Sequence, residues 1–246
     1  MASLLISTYE LGHQPLGLAS PAAHINSHGL PVECLDLAVQ HFDEELVRQA
    51  DFVGISIPMH TAIRLGVRVA ERVRRVNEDC HICFYGLYAS LNGRYLLRSY
   101  ADSVIGGEFE QPLVNLVLSL SGRPVDNLFG VWTLSSYSPP FLGRQQLLTP
   151  ARDLLPPLER YAHLDTGTEL KPVGSVAASR GCAHQCLHCP ITPVYEGRMR
   201  IVQREVVLED IGNLVGMGAQ HISFNDPDFL NGVKHSMLVV QGMHER

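Results

Sequence analysis

Five short β-rich runs, separated by helix-length patterns, fill the first 120 residues, and that rhythm leaves few folds open. The runs are residues 4–8, 31–35, 52–56, 81–85 and 103–105, with helical patterns around 17–27, 61–76, 91–99 and 109–119. Parallel strands need a crossover between neighbours, and a crossover helix buries the sheet face it crosses. The alternation therefore predicts a parallel, helix-covered α/β sheet of the flavodoxin-like, or Rossmann-like, kind over residues 1–120. Ligands of such sheets sit beyond the carboxyl ends of the strands. Those ends carry Tyr9, Glu10, Ser56, Gly86 and the pair Gly106-Gly107, with Ser90 just behind Gly86. Glycine lets backbone approach a ligand and serine offers a hydroxyl, although the same residues also suit ordinary turns.

Residues 121–172 have a different character. Seven of the fifteen prolines fall at 124, 139, 140, 150, 156, 157 and 172, and the single tryptophan, Trp132, lies among them. The stretch is too apolar for a free linker and predicts a connector packed against the units on both sides. From residue 172 the pattern becomes strand (174–178), a cysteine-rich loop, helix (205–217) and strand (221–224). Val207, Ile211, Leu214 and Val215 mark the buried stripe of that helix, and Gly218 is its stop.

Composition narrows the function classes. The chain has 246 residues, 46% of them hydrophobic, and 19 Lys and Arg against 25 Asp and Glu. A net charge of -6 argues against nucleic acid as a partner, since phosphate neutralisation needs a cationic surplus. The arginines at 64, 68, 72, 74 and 75 fall mostly on the polar side of the helix at 61–76. No basic-flanked apolar leader and no span of about 20 apolar residues is present, so a cytoplasmic, membrane-free protein is expected.

Three of the six cysteines form the run Cys182-x3-Cys186-x2-Cys189. Structural zinc takes four protein ligands, whereas three thiolates on a four-iron cluster leave one iron open to a small molecule. His184 and His188 interleave with the cysteines, so a Cys3His zinc site is the competing reading. Cys34, Cys80 and Cys83 lie in strand-like surroundings and read as small buried hydrophobes.

The cysteine spacing, following a strand, resembles that of the radical S-adenosylmethionine (SAM) enzymes. Upstream, "GISIPMHTA", "FYGLYASLNG" and "DSVIGGEFE" are similar to the cobalamin-binding N-terminal domain found on one class of them. Downstream, "EVVLEDIGNLVGMGAQHISFNDPDF" resembles the first helix and second strand of their partial (β/α) barrel, and "ARDLLPPLERYAHL" their passage between domains. A nearer resemblance is to the subgroup named for a CUAEP or CCAEP tail, which this chain does not reach.

The resemblance implies a domain at 1–120, a connector at 121–171 and the first part of a radical SAM barrel at 172–246, the chain being a fragment of a longer enzyme. It implies a 4Fe-4S cluster on Cys182, Cys186 and Cys189, with SAM at the open iron yielding a 5'-deoxyadenosyl radical or serving cobalamin-dependent methyl transfer. Asp226, then Asn225, would approach the SAM amino group; Ser56, Gly86, Ser90 and Gly107 would hold cobalamin. Arg180, Arg198 and Arg200 are candidates for the SAM carboxylate or cobalamin amides. The D-x-H-x2-G motif that gives cobalt a histidine is missing, and His13 stands near its place at the wrong spacing. A small-molecule or peptide substrate and an electron donor such as flavodoxin or ferredoxin are the implied partners. A non-enzymatic iron-sulfur carrier or a zinc module is the alternative.

Overall fold

The computed structural model describes residues 1–245. Strand β1 (Ser3–Ser7) leads through helix α1 (Leu16–Ser27) to β2 (Val32–Asp36), and α2 (Glu44–Gln49) leads to β3 (Phe52–Ser56). Next come α3 (His60–Val76), β4 (His81–Tyr85), two short helices α4 (Leu87–Leu91) and α5 (Gly93–Ser99), β5 (Ser103–Ile105) and α6 (Glu110–Leu120). The first sheet runs β2-β1-β3-β4-β5, all parallel, and a sixth strand, β6 (Val131–Thr133), adds antiparallel to β5. The parallel five are the strands expected from the sequence, within a residue at each end. Strand β6 belongs to the connector, which therefore docks onto the sheet edge.

Period two sorts the strand residues between two cores. Leu4, Ile6, Val53, Ile55, Ile82 and Phe84 face α2, α3 and α5. Leu5, Phe52, Cys83, Tyr85 and Ile105 face α1 and α6. With both faces covered, the inner strands β1, β3 and β4 are buried along nearly their whole length rather than on alternate residues. Burial pushes the thiols of Cys34, Cys80 and Cys83 up to about 12, so they act as small apolar side chains.

Two local devices shape this domain. Helix α1 contains Pro21, which has no N–H for the carbonyl of Gly17. The buried Tyr85 hydroxyl donates to that carbonyl instead, at 2.7 Å. Helix α2, not anticipated from the sequence, is capped by Asp43, whose carboxylate accepts from the N–H groups of Glu45 and Leu46.

Beyond the connector, β7 (His163–Asp165) pairs antiparallel with β8 (Leu170–Val176), and β9 (Ser179–Gly181) pairs antiparallel with β10 (Met199–Ile201). Between β9 and β10 run the cysteine loop and the single-turn helix α7 (Thr192–Tyr195); α8 (Arg204–Gly216), β11 (His221–Phe224) and α9 (Val233–His244) follow. Strand β11 lies parallel to β8, with α8 as the crossover. Strand β8 starts four residues before the expected 174, because residues 170–172 complete a hairpin with β7. Leu147 and Leu158 of the connector join Val176, Val207, Leu208 and Leu214 in the third core, so the connector packs against both units. Among the described residues no helix is long and apolar enough to cross a membrane.

Candidate functional site

The order β2-β1-β3 reverses the direction of winding at β1 and β3, and a crevice belongs beyond their carboxyl ends. A cavity of about 280 Å³ lies there, walled on one side by Glu10, Leu11, Ser56, Met59, Gly86 and Gly107. Its other wall is Ala177, Ser179, Arg180, Gly181 and Asn225, from the segments that enter and follow the cysteine loop. One cavity thus joins the strand ends of the sheet to the start of the cysteine loop. Most of its lining is apolar, including Leu16, Pro58, Leu87, Phe109 and Ile191, with a few polar groups, as is usual for a cofactor site.

Glu10 organises the first wall. Helix α1 has no side-chain cap at Pro15, and the Glu10 carboxylate, folding back from the β1 end, accepts from Leu16 N–H at 2.9 Å and Gly17 N–H at 3.3 Å. Burial nevertheless pushes its carboxyl up to about 7, against those two bonds. The next residue, Leu11, holds a left-handed backbone (φ 54°) and leaves its side chain 59% exposed at the cavity. A non-glycine residue in that region is strained, and here it turns hydrocarbon toward the opening.

The glycines expected to approach a ligand approach backbone. A side chain on Gly107 (φ 71°) would strike the carbonyl of Phe141, and one on Gly86 (φ 106°) would press on that of Ile57. Ser56 lines the cavity; Ser90 does not, its hydroxyl donating to Leu87 O at 3.1 Å near the connector. His13 also stays outside the cavity lining, with Nδ1 buried and unpartnered.

In the second wall, Asn225 lines the cavity, but Asp226 is spent on structure. Its carboxylate accepts from Ala178 N–H at 3.0 Å and from the Ser179 hydroxyl at 2.5 Å, holding the turn between β8 and β9 to the end of β11. Arg180 is likewise committed. Its guanidinium forks onto Glu110 at 2.6 and 2.8 Å, lies 3.5 Å from Glu108 and covers the Phe109 ring. Burial alone would raise the Glu110 carboxyl, but Arg180 and the Ser20 hydroxyl more than reverse this and hold it down at about 2. Burial raises Glu108, which accepts from the Tyr195 hydroxyl at 3.0 Å. Arg198 pairs on the surface with Glu196, and Arg200 donates to the carbonyl of Leu142.

The cysteine loop hangs from the β9–β10 ribbon and is tied back by Tyr195. Cys182 and Cys189 are partly exposed, Cys186 is exposed, and all three thiols are free. Among the described residues no three His, Cys, Asp or Glu side chains close on a common point as one ion requires. A cluster gives each cysteine its own iron, so three free thiols on one accessible loop match its donor set without such convergence. Asn231, a residue the sequence did not single out, reaches this loop. Its side chain donates to Cys182 Sγ at 3.7 Å and accepts from Ala183 N–H at 2.9 Å, while His184 N–H donates to the same sulfur at 3.4 Å. His184 turns toward Asp228 at 3.7 Å, and His188 is exposed.

Residues 2–117 match the family model of the B12 binding domain. Over 208 residues the chain is 28% identical to hopanoid C-3 methylase of Methylococcus capsulatus, an alignment spanning 80% of this chain and 40% of that one. Over 202 residues it is 26% identical to an uncharacterized methyltransferase of Pyrococcus horikoshii, covering 76% and 42%. Its fold matches that of the radical SAM methyltransferase TsrM from Kitasatospora setae. The TM-score is 0.81 (18% identity, 99% of this chain, 51% of that chain) for TsrM with tryptophan and a SAM analog, and 0.77 (17%, 100%, 51%) for TsrM with cobalamin and a [4Fe-4S] cluster. The chain spans about 40% of the length of these curated relatives and about half that of TsrM.

Proposed function

We propose that this chain is the cofactor-holding part of a cobalamin-dependent radical SAM methyltransferase. The observation that carries the reading is the single cavity bounded by the strand ends of a B12-type domain and by the start of a three-cysteine loop. Cys182, Cys186 and Cys189 would hold a four-iron cluster with SAM at its open iron, and cobalamin would lie over the strand ends near Ser56, Gly86 and Gly107. Together these groups supply low-potential single electrons and a transferable methyl group. The subgroup with a CUAEP or CCAEP tail rests on the sequence motifs alone.

The chain's own residues have definable tasks in this reading. Leu11, Leu16, Met59, Phe109 and Ile191 keep water from the space between the cofactors. Asn225 offers an amide donor and acceptor at the cavity wall. Glu10 fixes the start of α1 and holds or releases a proton at its carboxyl near neutral pH. Arg180, neutralised by Glu110 and Glu108, is a positioning residue that locks the β9 entry to the cysteine loop onto α6. Among the described residues no histidine or cysteine lines the cavity to offer cobalt an imidazole or thiolate.

A fourth-cysteine carrier is disfavoured by Cys34, Cys80 and Cys83, all buried in the first domain. A Cys3His zinc module is disfavoured by His184 facing Asp228 and by the exposure of His188. The test is titration with hydroxocobalamin, followed by absorbance, for wild type and Leu11→Asp. Aspartate tolerates the left-handed backbone better than leucine, so the fold should survive a charge on the apolar wall. Saturable binding weakened at least tenfold by the substitution is expected; wild type that does not bind, or a variant that binds equally well, would refute the placement.

A further inference from the structure

A second cavity, of about 320 Å³, opens between the connector and the β9–β10 ribbon and shares only Arg180 with the central one. Three arginines line it, Arg144, Arg180 and Arg200, against one carboxylate, Glu108. Arg180 is cancelled by Glu108 and Glu110. Arg200 makes no direct ion pair among the described residues: its guanidinium donates to the backbone carbonyls of Leu142 and Met199 and leaves N–H groups unused, although the Glu108 carboxyl is close enough to feel its charge. Arg144 is exposed and makes no ion pair or hydrogen bond among the described residues.

The other polar groups of the cavity are already satisfied. Gln203 donates to Gln145 O and accepts from Leu147 N–H; Gln145 donates to Glu110 and accepts from Gln111 N–H. Glu108 is a like charge to any anion nearby, yet its oxygens are directed at the Tyr195 hydroxyl and Arg180. The strongest donors left in the cavity are therefore the guanidinium groups of Arg144 and Arg200. Guanidinium forks of this kind match the paired oxygens of a carboxylate or phosphate.

We infer that this cavity binds the carboxylate or phosphate group of a small molecule, with Arg144 and Arg200 as the recognising residues. The inference needs neither the cluster nor cobalamin and stands apart from the function proposed above. Two sources share the chemistry: a separate acidic ligand, or the phosphodiester of cobalamin itself.

The experiment is thermal denaturation of the full chain against inorganic phosphate at constant ionic strength, for wild type, Arg144→Gln and the control Arg98→Gln on α5. A saturable rise in melting temperature is expected, with apparent affinity weakened at least fivefold in Arg144→Gln and unchanged in Arg98→Gln. No saturable rise, or equal affinity in Arg144→Gln, would overturn the inference. Repeating the titration with saturating hydroxocobalamin separates the sources. Undisturbed phosphate binding assigns the site to a separate acidic ligand, and displacement assigns it to the cofactor's phosphodiester. Phosphate binding without cobalamin binding would sink the functional reading alone, and the converse would sink this one alone.

Discussion

Glu10 is asked both to cap a helix and to sit in an apolar wall, and the conflict shows in its proton affinity. Because its folded pKa of about 7 lies above the unfolded 4.5, the native state holds the extra proton between those values. Stability should therefore fall as pH rises from about 4.5 to 7 and level off above, by linkage. Glu10→Gln keeps the cap acceptor without the proton, so its urea midpoint should lose that pH-dependent component relative to wild type; parallel profiles would show that Glu10 does not titrate this way. Asn231 makes a second residue-level case. An N–H donor to a cluster-bound sulfur withdraws charge and raises the reduction potential. Asn231→Ala should leave iron content unchanged and move the cluster midpoint to more negative potential in an EPR-monitored redox titration, and an unmoved midpoint would deny Asn231 that role. Neither set of contacts was legible in the sequence. Glu10 stood out as a strand-end residue, but its bonds to Leu16 and Gly17 depend on the loop folding back. Asn231 lies 42 residues beyond Cys189 and meets the loop only through the β8–β11 pairing.

At the scale of elements, the chain uses buried polar contacts where regular structure is interrupted or where two units meet. Pro21 breaks the bonding of α1, and Tyr85 makes the interruption tolerable. Tyr85→Phe should cost about 1–3 kcal/mol in denaturant unfolding, the penalty for an unsatisfied buried carbonyl; no loss would mean that the Gly17 carbonyl finds another donor. Arg152, 2% exposed, ties the connector to α8 through a two-pronged bond to Asp210 at 2.9 Å and to β8 through the carbonyl of Ser175 at 2.7 Å. Arg152→Met should destabilise by about 3–5 kcal/mol, because it strands the Asp210 charge in the interior. Adding Asp210→Leu should recover part of the loss, and a double variant as unstable as the single would place the cost in packing. The parallel strands were readable as short apolar runs between helical patterns, and α8 by its buried Val207, Ile211 and Leu214; Val215, expected in the same stripe, is instead 55% exposed because it falls on the outer side of the helix. Strands β6, β7, β9 and β10 were not, since each is only three residues long, lies outside the strand–helix alternation that marked β5, and is defined by its antiparallel partner. The helix expected at 91–99 is divided at Asn92, whose side chain donates to Tyr88 O at 2.8 Å.

At the scale of the molecule, the connector decides the arrangement. It adds β6 to the first sheet, passes Phe141 against Gly107, supplies Arg152 to the interior and contributes Leu147 and Leu158 to the last core. The strand ends and the cysteine loop are thereby brought to one cavity. The sequence showed both ingredients, the sheet and the three cysteines, but not their shared wall, because that depends on a segment with little regular structure. In the proposed function Cys182, Cys186 and Cys189 carry a cluster with an iron open to SAM. The most direct test is anaerobic reconstitution with iron and sulfide, reduction, and electron paramagnetic resonance with and without SAM, using Cys182→Ala as the control. A reduced four-iron signal that SAM perturbs and that Cys182→Ala abolishes is expected. A cluster indifferent to SAM, or zinc retained in place of iron, would contradict the proposal.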